Sequence, residues 1–418
     1  MLARVMLNSL WHRRTTLLLV ISALALSVSL LLGVERVREE TRERFFSTVS
    51  GVDLIVGAPS GPLNLLLYSV FRMGEPVANV SWSSVQALAD HPQVEWVVPL
   101  SLGDSYQGFP VVATSLNYFE HYRYGNRQAL TLAEGELFDG VFDVVLGSDV
   151  ARQRQLSVGD EIIVGHGTGA VSLVEHDQMP FTVTGILAST GTPVDRSLHI
   201  SLEAMTAIHL DWVAGTPIPG RSTSPDQAKE QDLTPRSVTA VMIGLKSRMA
   251  VFNVQRWVNN YRGEPLQAIL PGVTLQRFWQ LLGMVEQALK AISIAVLVVA
   301  ILVMLAGLLT ALNERRREIA ILRALGARRW QIAFMLVAES AVLTLAGILV
   351  GVLLLQGVAI FIAPILQAQL GVSLTLLTPG QGELTWLAII FVAGTLAGLW
   401  PAWRAYRQTL NESLTPRD

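Results

Sequence analysis

The chain has 418 residues, 51% of them hydrophobic and 15% charged, with a mean hydropathy of +0.44. That is too apolar for an ordinary soluble protein of this length, so part of it must lie in lipid. A formal net charge of −2 offers no basic surface for a phosphate backbone, which excludes nucleic acid as the main partner, and the absence of cysteine excludes disulfides and thiolate metal sites.

Residues 1–16 carry Arg4, His12, Arg13 and Arg14 and lead into LLLVISALALSVSLLLGV at 17–34, an uncharged run long enough to cross a bilayer as a helix. A basic start before an apolar run also fits a secretory leader. The run is longer than a leader's apolar region and lacks a convincing small-x-small cleavage site, so it reads as the first membrane span. Next comes ERVREETRERFF, without Gly or Pro and with Arg36, Glu40 and Arg44 at i,i+4 spacing, which predicts that the first helix continues out of the membrane as a stalk.

Between 35 and 290 lies a domain in which short β-rich runs (DLIVGA, VEWVVPL, FPVVAT, FDVVLG, DEIIVG, FTVTGIL, SLHISL, VTAVMIGL) are separated by Gly, Asp, Asn or Pro. Helical patterns intervene at 82–90, 149–155 and 248–261, so the domain reads as α+β. The Pro-, Ser- and Gly-rich stretch 214–237 reads as a mobile loop. His166, His176 and Asp177, with His199 and His209 at wider spacing, are the nearest thing to a ligand cluster. Their spacing matches no compact metal site, so solvated or structural roles and no metal are expected. FWQLLGMVEQALK at 278–290 predicts a second helical stalk running into the next span.

Apolar segments at 291–312, 332–364 and 384–403 complete four spans, which places both termini on one side. Arg13 and Arg14, then Arg315, Arg316, Arg317, Arg323, Arg328 and Arg329, then Arg404 and Arg407 all fall on one face. The positive-inside rule makes that face the cytoplasm and the inserted domain extracytoplasmic, with a short outer loop at 365–383 and a cytoplasmic tail at 404–418. Within the third span Glu339 is about three turns from Arg329, which favours a snorkelling or arginine-paired structural role over proton transport. Gly347-x-x-x-Gly351 and Gly394-x-x-x-Gly398 permit close backbone approach, and packing within the chain is expected ahead of a dimer interface.

Chemistry that hydrolyses nucleotides has no place here. Lys229, Lys246 and Lys290 are the only lysines and none follows a glycine, so no P-loop exists, and no HExxH or GxSxG occurs. No cofactor and no enzymatic activity are expected of the chain itself. The cytoplasmic loop 313–331 reads instead as a short amphipathic helix ended by Gly326. A lipid-surface anchor would explain its arginines but not Glu314, Glu318 or the Gly326 break, which suit docking into a groove on a partner protein.

The motif E-x-x-R-E-I-A-I-L-R-A-L-G-A at 314–327 resembles the loop after the second helix of MacB/FtsX-type (type VII) ABC transporter permeases. The resemblance extends to LFDGVFDVVLGSDVARQRQLSVGDEIIV at 137–164, FTVTGILASTGTPVDRSLHISLEAM at 181–205, ESAVLTLAGILVG at 339–351 and GLWPAWRAYRQTLNESL at 398–414. It implies a membrane protein of the bacterial inner membrane with four helices and a periplasmic α+β domain between the first two. It further implies a homodimer, or a pseudo-dimer with a related permease, clamped onto two ATPase subunits that bind the ATP and Mg, with coupling but no conventional substrate channel. Glu314, Arg317, Glu318, Ile319, Leu322, Arg323, Leu325, Gly326 and Arg328 would then dock the ATPase. Export or extraction of a hydrophobic, peptide or lipoprotein cargo, with a periplasmic adaptor or cargo protein as further partner, is the leading expectation. Mechanical switching of a periplasmic partner such as a cell-wall hydrolase is the alternative, and an ATPase-free receptor would leave the loop without a partner. The inserted domain, about 255 residues, is large enough for two subdomains, which favours cargo handling.

Overall fold

A computed structural model of the chain describes residues 14–125, 127–167, 175–213, 216–218, 220, 221, 223–314, 319, 321, 323, 324, 326–370 and 381–407. These residues form two compact units, one drawn from 14–41, 282–365 and 381–407 and the other from 42–281 with 366–370.

Helix α1 (Arg14–Ser47) leads from the first unit into the second, whose frame is an 11-stranded mixed sheet. In chain order its strands are β1 (Leu54–Gly57), β2 (Val94–Tyr106), β3 (Phe109–Thr114), β4 (Leu132–Gly135), β5 (Asp143–Leu146), β6 (Glu161–Ile162), β7 (Gly165–His166), β8 (Phe181–Leu187), β9 (Leu198–Ser201), β10 (Ala240–Leu245) and β11 (Gln267–Ile269). They run across the sheet as β11-β1-β10-β2-β3-β9-β5-β8-β4, with β7 paired to β2 and β6 to β8. Two of the pairings, β9 with β3 and β8 with β5, are parallel.

Both sheet faces are buried, which explains why the central strands read as unbroken apolar runs and not as alternating ones. Side chains still alternate between faces at period two. Leu54, Val56, Val111, Ala113, Val144, Leu146, Leu198 and Ile200 enter one core, and Ile55, Val112, Val145, Ala240 and Met242 enter the other. On the first face lie Val85 and Leu88 of α3 (Trp82–Ala89), Ala204 and Ile208 of α4 (Leu202–Ile208), and Val254 and Val258 of α5 (Val251–Asn259). The second face is covered by α2 (Pro62–Phe71), a helix that no sequence signal singled out, through Leu65, Leu66 and Tyr68. Ser81 and Ser201 cap α3 and α4 by accepting from the backbone N–H groups of Ser84 and Ala204.

The stretch 214–237 differs from its reading as an open loop. Pro225–Lys229 is a helical turn fixed by a capping box between Ser224 and Gln227, and Ala228 enters the core. The Thr223 N–H, at 2.6 Å from Asp211 Oδ2, ties it to the body of the domain. Its polar composition hid two anchoring residues, Ala228 and Leu233.

In the first unit α1 is joined by α6 (Pro271–Glu314), α7 (Arg329–Leu370), α8 (Gln381–Ala397) and α9 (Leu399–Arg407). Four stretches, Arg14–Arg42, Pro271–Leu312, Arg329–Ile362 and Gly382–Ala405, are long and apolar enough to cross a membrane. As the stalk pattern predicts, α1 and α6 extend well beyond a bilayer's thickness, at 34 and 44 residues. The break between α8 and α9 falls at Gly398, just before Pro401, whose missing N–H interrupts the ladder.

Candidate functional site

The loop expected to dock a partner begins where α6 ends at Glu314. Arg317, Glu318, Leu322 and Leu325 lie outside the described residues, as does the side chain of Glu314. Ile319 packs, half-buried, against the cluster of Leu312, Ile332, Leu336, Ala402 and Ala405, while Ile321 is exposed. Gly326, at φ 99°, adopts the left-handed conformation that stops a helix, and its N–H donates to the Arg323 carbonyl at 3.1 Å. Arg328 is exposed and opens α7. Its N–H donates to Gln331 Oε1 at 2.9 Å, and its carbonyl accepts from the Gln331 N–H at 3.0 Å.

The four membrane glycines mark where helices of this unit touch. A Cβ on Gly347 would lie 2.6 Å from the Leu24 Cβ, and one on Gly351 would lie 2.8 Å from the Ala25 carbonyl oxygen, so both seat α7 on α1. A Cβ on Gly394 would strike Thr344, and one on Gly398 would strike Ser340, so both seat the last helices on α7. Glu339 is buried and lines a small cavity with Thr16, Thr310 and Leu343. Arg36, spaced for Glu40 on its own helix, forks onto Glu383 at the start of α8 instead.

In the domain, the ends of the two stalks meet. Phe45 of α1 stacks on Phe71 at 4.7 Å and lies 5.3 Å from Phe278 and 5.9 Å from Trp279 of α6, between ring centroids. Phe45 and Phe71 are in turn packed, partly buried, against the core on the second face of the sheet.

The histidines differ most from their sequence reading. Asp177 is exposed and takes no part, and His199 is fully buried between Tyr118 and Phe119. His166, His176 and His209, however, converge on Asp104, a residue that no motif or spacing singles out. Pairing of β7 with β2 sets His166 opposite Asp104, and its Nδ1 lies 2.9 Å from Asp104 Oδ1. His209, the residue that closes α4, brings Nε2 to 3.7 Å from Asp104 Oδ2 and 3.2 Å from His166 Nδ1. His176 brings Nε2 to 3.9 Å from Asp104 Oδ1. Burial would raise the Asp104 carboxyl, but the hydrogen bond to His166 and the nearby His176 and His209 override it and hold it at about 2. The Asp104 hydrogen bond raises His166 against its burial, whereas burial lowers His209. Trp212 closes over the group, with its ring 4.7 Å from those of His166 and His176. Three imidazoles and one carboxylate in this arrangement are donors that a transition metal could use.

Two family models match the sequence: the MacB-like periplasmic core domain over residues 15–261 and the FtsX-like permease C-terminal over residues 290–410. No curated protein matches it. Among solved structures, the chain is similar to the periplasmic region of MacB from Actinobacillus actinomycetemcomitans at 11% identity and a TM-score of 0.35, over 55% of this chain and 94% of that one. It is also similar to the extracellular domain of the noncanonic ABC-type transporter YknZ from Gram-positive bacteria at 14% identity and a TM-score of 0.30, over 52% of this chain and 98% of that one.

Proposed function

This chain belongs to the MacB/FtsX-type family of ABC transporter permeases, and from that premise we propose that it relays ATP-driven motion from a separate ATPase to its extracytoplasmic domain. As a permease it is a non-catalytic, inner-membrane subunit of a transporter whose ATPase is a partner. In the reading proposed here it crosses the membrane four times, with both termini and the loop 313–331 in the cytoplasm. Two such subunits sit above two ATPases, which bind the ATP and Mg. Glu314, Arg317, Glu318, Ile319, Leu322, Arg323, Leu325, Gly326 and Arg328 form or shape the docking element, with Ile319 fastening it to the ends of α6 and α7. Motion of this element passes along α1 and α6 into the domain and drives export or extraction of a hydrophobic, peptide or lipoprotein cargo, with or without a periplasmic adaptor.

The observation that carries the reading is the aromatic contact of Phe45 with Phe278 and Trp279. Two helices that are each continuous from the membrane segment into the domain end on the same packed cluster. Such a pair transmits displacement because packed cores switch between discrete arrangements and do not deform continuously. The test is purification of the chain from its native membrane in mild detergent, with Glu318→Arg in parallel and mass spectrometry of what remains bound. Recovery of an ABC ATPase with the native chain and its loss with the variant is expected. An ATPase retained equally by both removes the docking assignment.

A further inference from the structure

We propose that Asp104, His166, His176 and His209 bind one divalent transition-metal cation of the zinc class, which clasps the extracytoplasmic domain. Each of the four offers one ligand atom, and these atoms all lie within 4.8 Å of one another. A tetrahedral ion with bonds of about 2.0–2.1 Å sets its ligands about 3.3 Å apart. Separations of 2.9 Å (His166 to Asp104), 3.2 Å (His209 to His166), 3.7 Å (His209 to Asp104) and 3.9 Å (His176 to Asp104) bracket that value. Small rotations of side chains, without movement of the strands, complete the geometry.

The hydrogen bonds within the group do not account for it. Among the described residues Asp104 Oδ2 and His176 Nε2 have no hydrogen-bond partner, although the side chains are 0% and 3% exposed. Nδ1 of an imidazole has one in-plane direction for a proton or lone pair, yet that of His166 lies within reach of both Asp104 Oδ1 and His209 Nε2. A cation at the centre uses all four atoms at once. His209 is already oriented for this, because its Nδ1–H donates to the Met205 carbonyl at 2.8 Å and leaves the Nε2 lone pair facing the group. A carbonyl behind a ligating imidazole is the usual support of a metal-bound histidine.

Donor chemistry selects the ion. Three imidazoles and one carboxylate suit Zn²⁺, and also Ni²⁺ or Cu²⁺, whereas Ca²⁺ and Mg²⁺ require oxygen ligands. Four protein ligands leave no open position for substrate, so the site is structural. An ion has a route in: a cleft lined by Ser101, Asp104, His166, His209, Trp212 and Arg236 reaches the group from the surface. The ligands come from β2, β7, the segment after it and the end of α4, so the ion ties together parts of the chain up to 105 residues apart, from Asp104 to His209.

The experiment takes the full-length chain in detergent, strips it with a chelator, and titrates Zn²⁺ and Co²⁺ separately. Zinc per chain is read by elemental analysis, coordination by the visible Co²⁺ band, and stability by thermal melting. The expected result is one zinc per chain, an intense tetrahedral Co²⁺ band and a higher melting temperature with zinc than without, since the ion binds the folded state. His209→Ala and His166→Ala, at partly exposed positions, are expected to fold, to lose the Co²⁺ band and to weaken zinc binding at least about 100-fold, the upper end of what loss of an outer partner alone costs. His91→Ala, outside the group, leaves binding unchanged. A folded native chain that takes up no zinc, or native affinity in both ligand variants, overturns the proposal.

Discussion

Arg36 of α1 and Glu383 of α8 are joined by two parallel bonds, Nε to Oε1 at 2.7 Å and Nη2 to Oε2 at 2.9 Å, with each side chain only 9% exposed. The pair couples the first and last membrane helices across 347 residues of sequence. Its planar fork fixes their rotation as well as their distance.

Removing one partner leaves the other charge buried and uncompensated. Glu383→Leu alone should therefore destabilise the membrane unit by about 3–5 kcal/mol, whereas Arg36→Met with Glu383→Leu should return most of that loss. Thermal melting of the three variants in detergent measures it. Equal losses in the single and double variants would show that the pair acts only through packing.

Close approach at the glycines gives a second prediction. Gly347→Val forces a Cβ to within 2.6 Å of the Leu24 Cβ and should cost about 1–3 kcal/mol. Gly357→Ala, on the same helix with nothing within 4 Å, should be neutral or slightly stabilising because alanine is the better helix former. The same melting assay separates the two, and a tolerated Gly347→Val would mean that α7 is free to move off α1.

Acid should loosen the extracytoplasmic domain through His199. Burial, assisted by the charge of Arg72, lowers its pKa to about 3, while the unfolded residue titrates near 6.5. Below that value the unfolded chain takes up a proton that the folded one refuses, so stability is complete above about 6.5 and declines as pH falls toward 3. His199→Phe preserves the stacking on Tyr118 and should flatten this part of the profile. Hydrogen exchange of the β9 amides in the full-length chain at several pH values between 4.5 and 7.5 reads it out. An unchanged pH dependence in the variant would assign the acid sensitivity elsewhere.

The absence of cysteine makes the stalk contact directly testable. Cysteines placed at Phe45 and Phe278, whose rings lie 5.3 Å apart, should be bridged by a short bifunctional thiol reagent. If relative motion of α1 and α6 accompanies the ATPase cycle, the bridge should slow ATP turnover by the assembled transporter, with recovery when a cleavable reagent is reversed. Turnover unaffected by the bridge would mean that the stalks move together or not at all.

Features with a local cause were legible in the sequence. Four spans follow from apolar runs, the stalks from helical composition continuing past them, and the strands from β-rich runs between turn residues, because each depends on neighbours a few positions away. Gly326 was legible as a helix stop for the same reason, and its positive φ is the physical expression of that stop. Partners far apart in sequence were not legible. Arg36 had Glu40 at the right spacing on its own helix, and only the packing of α8 against α1 offered it Glu383. Asp104 stands in a strand with no motif around it, and it meets His166 only because β7 pairs with β2 in one register. His209 reaches the same point from the end of a helix on one sheet face. Periodicity assigns a residue to a face, but which residues of different elements meet there is decided by strand order and register, and these are set by the burial of the whole sheet.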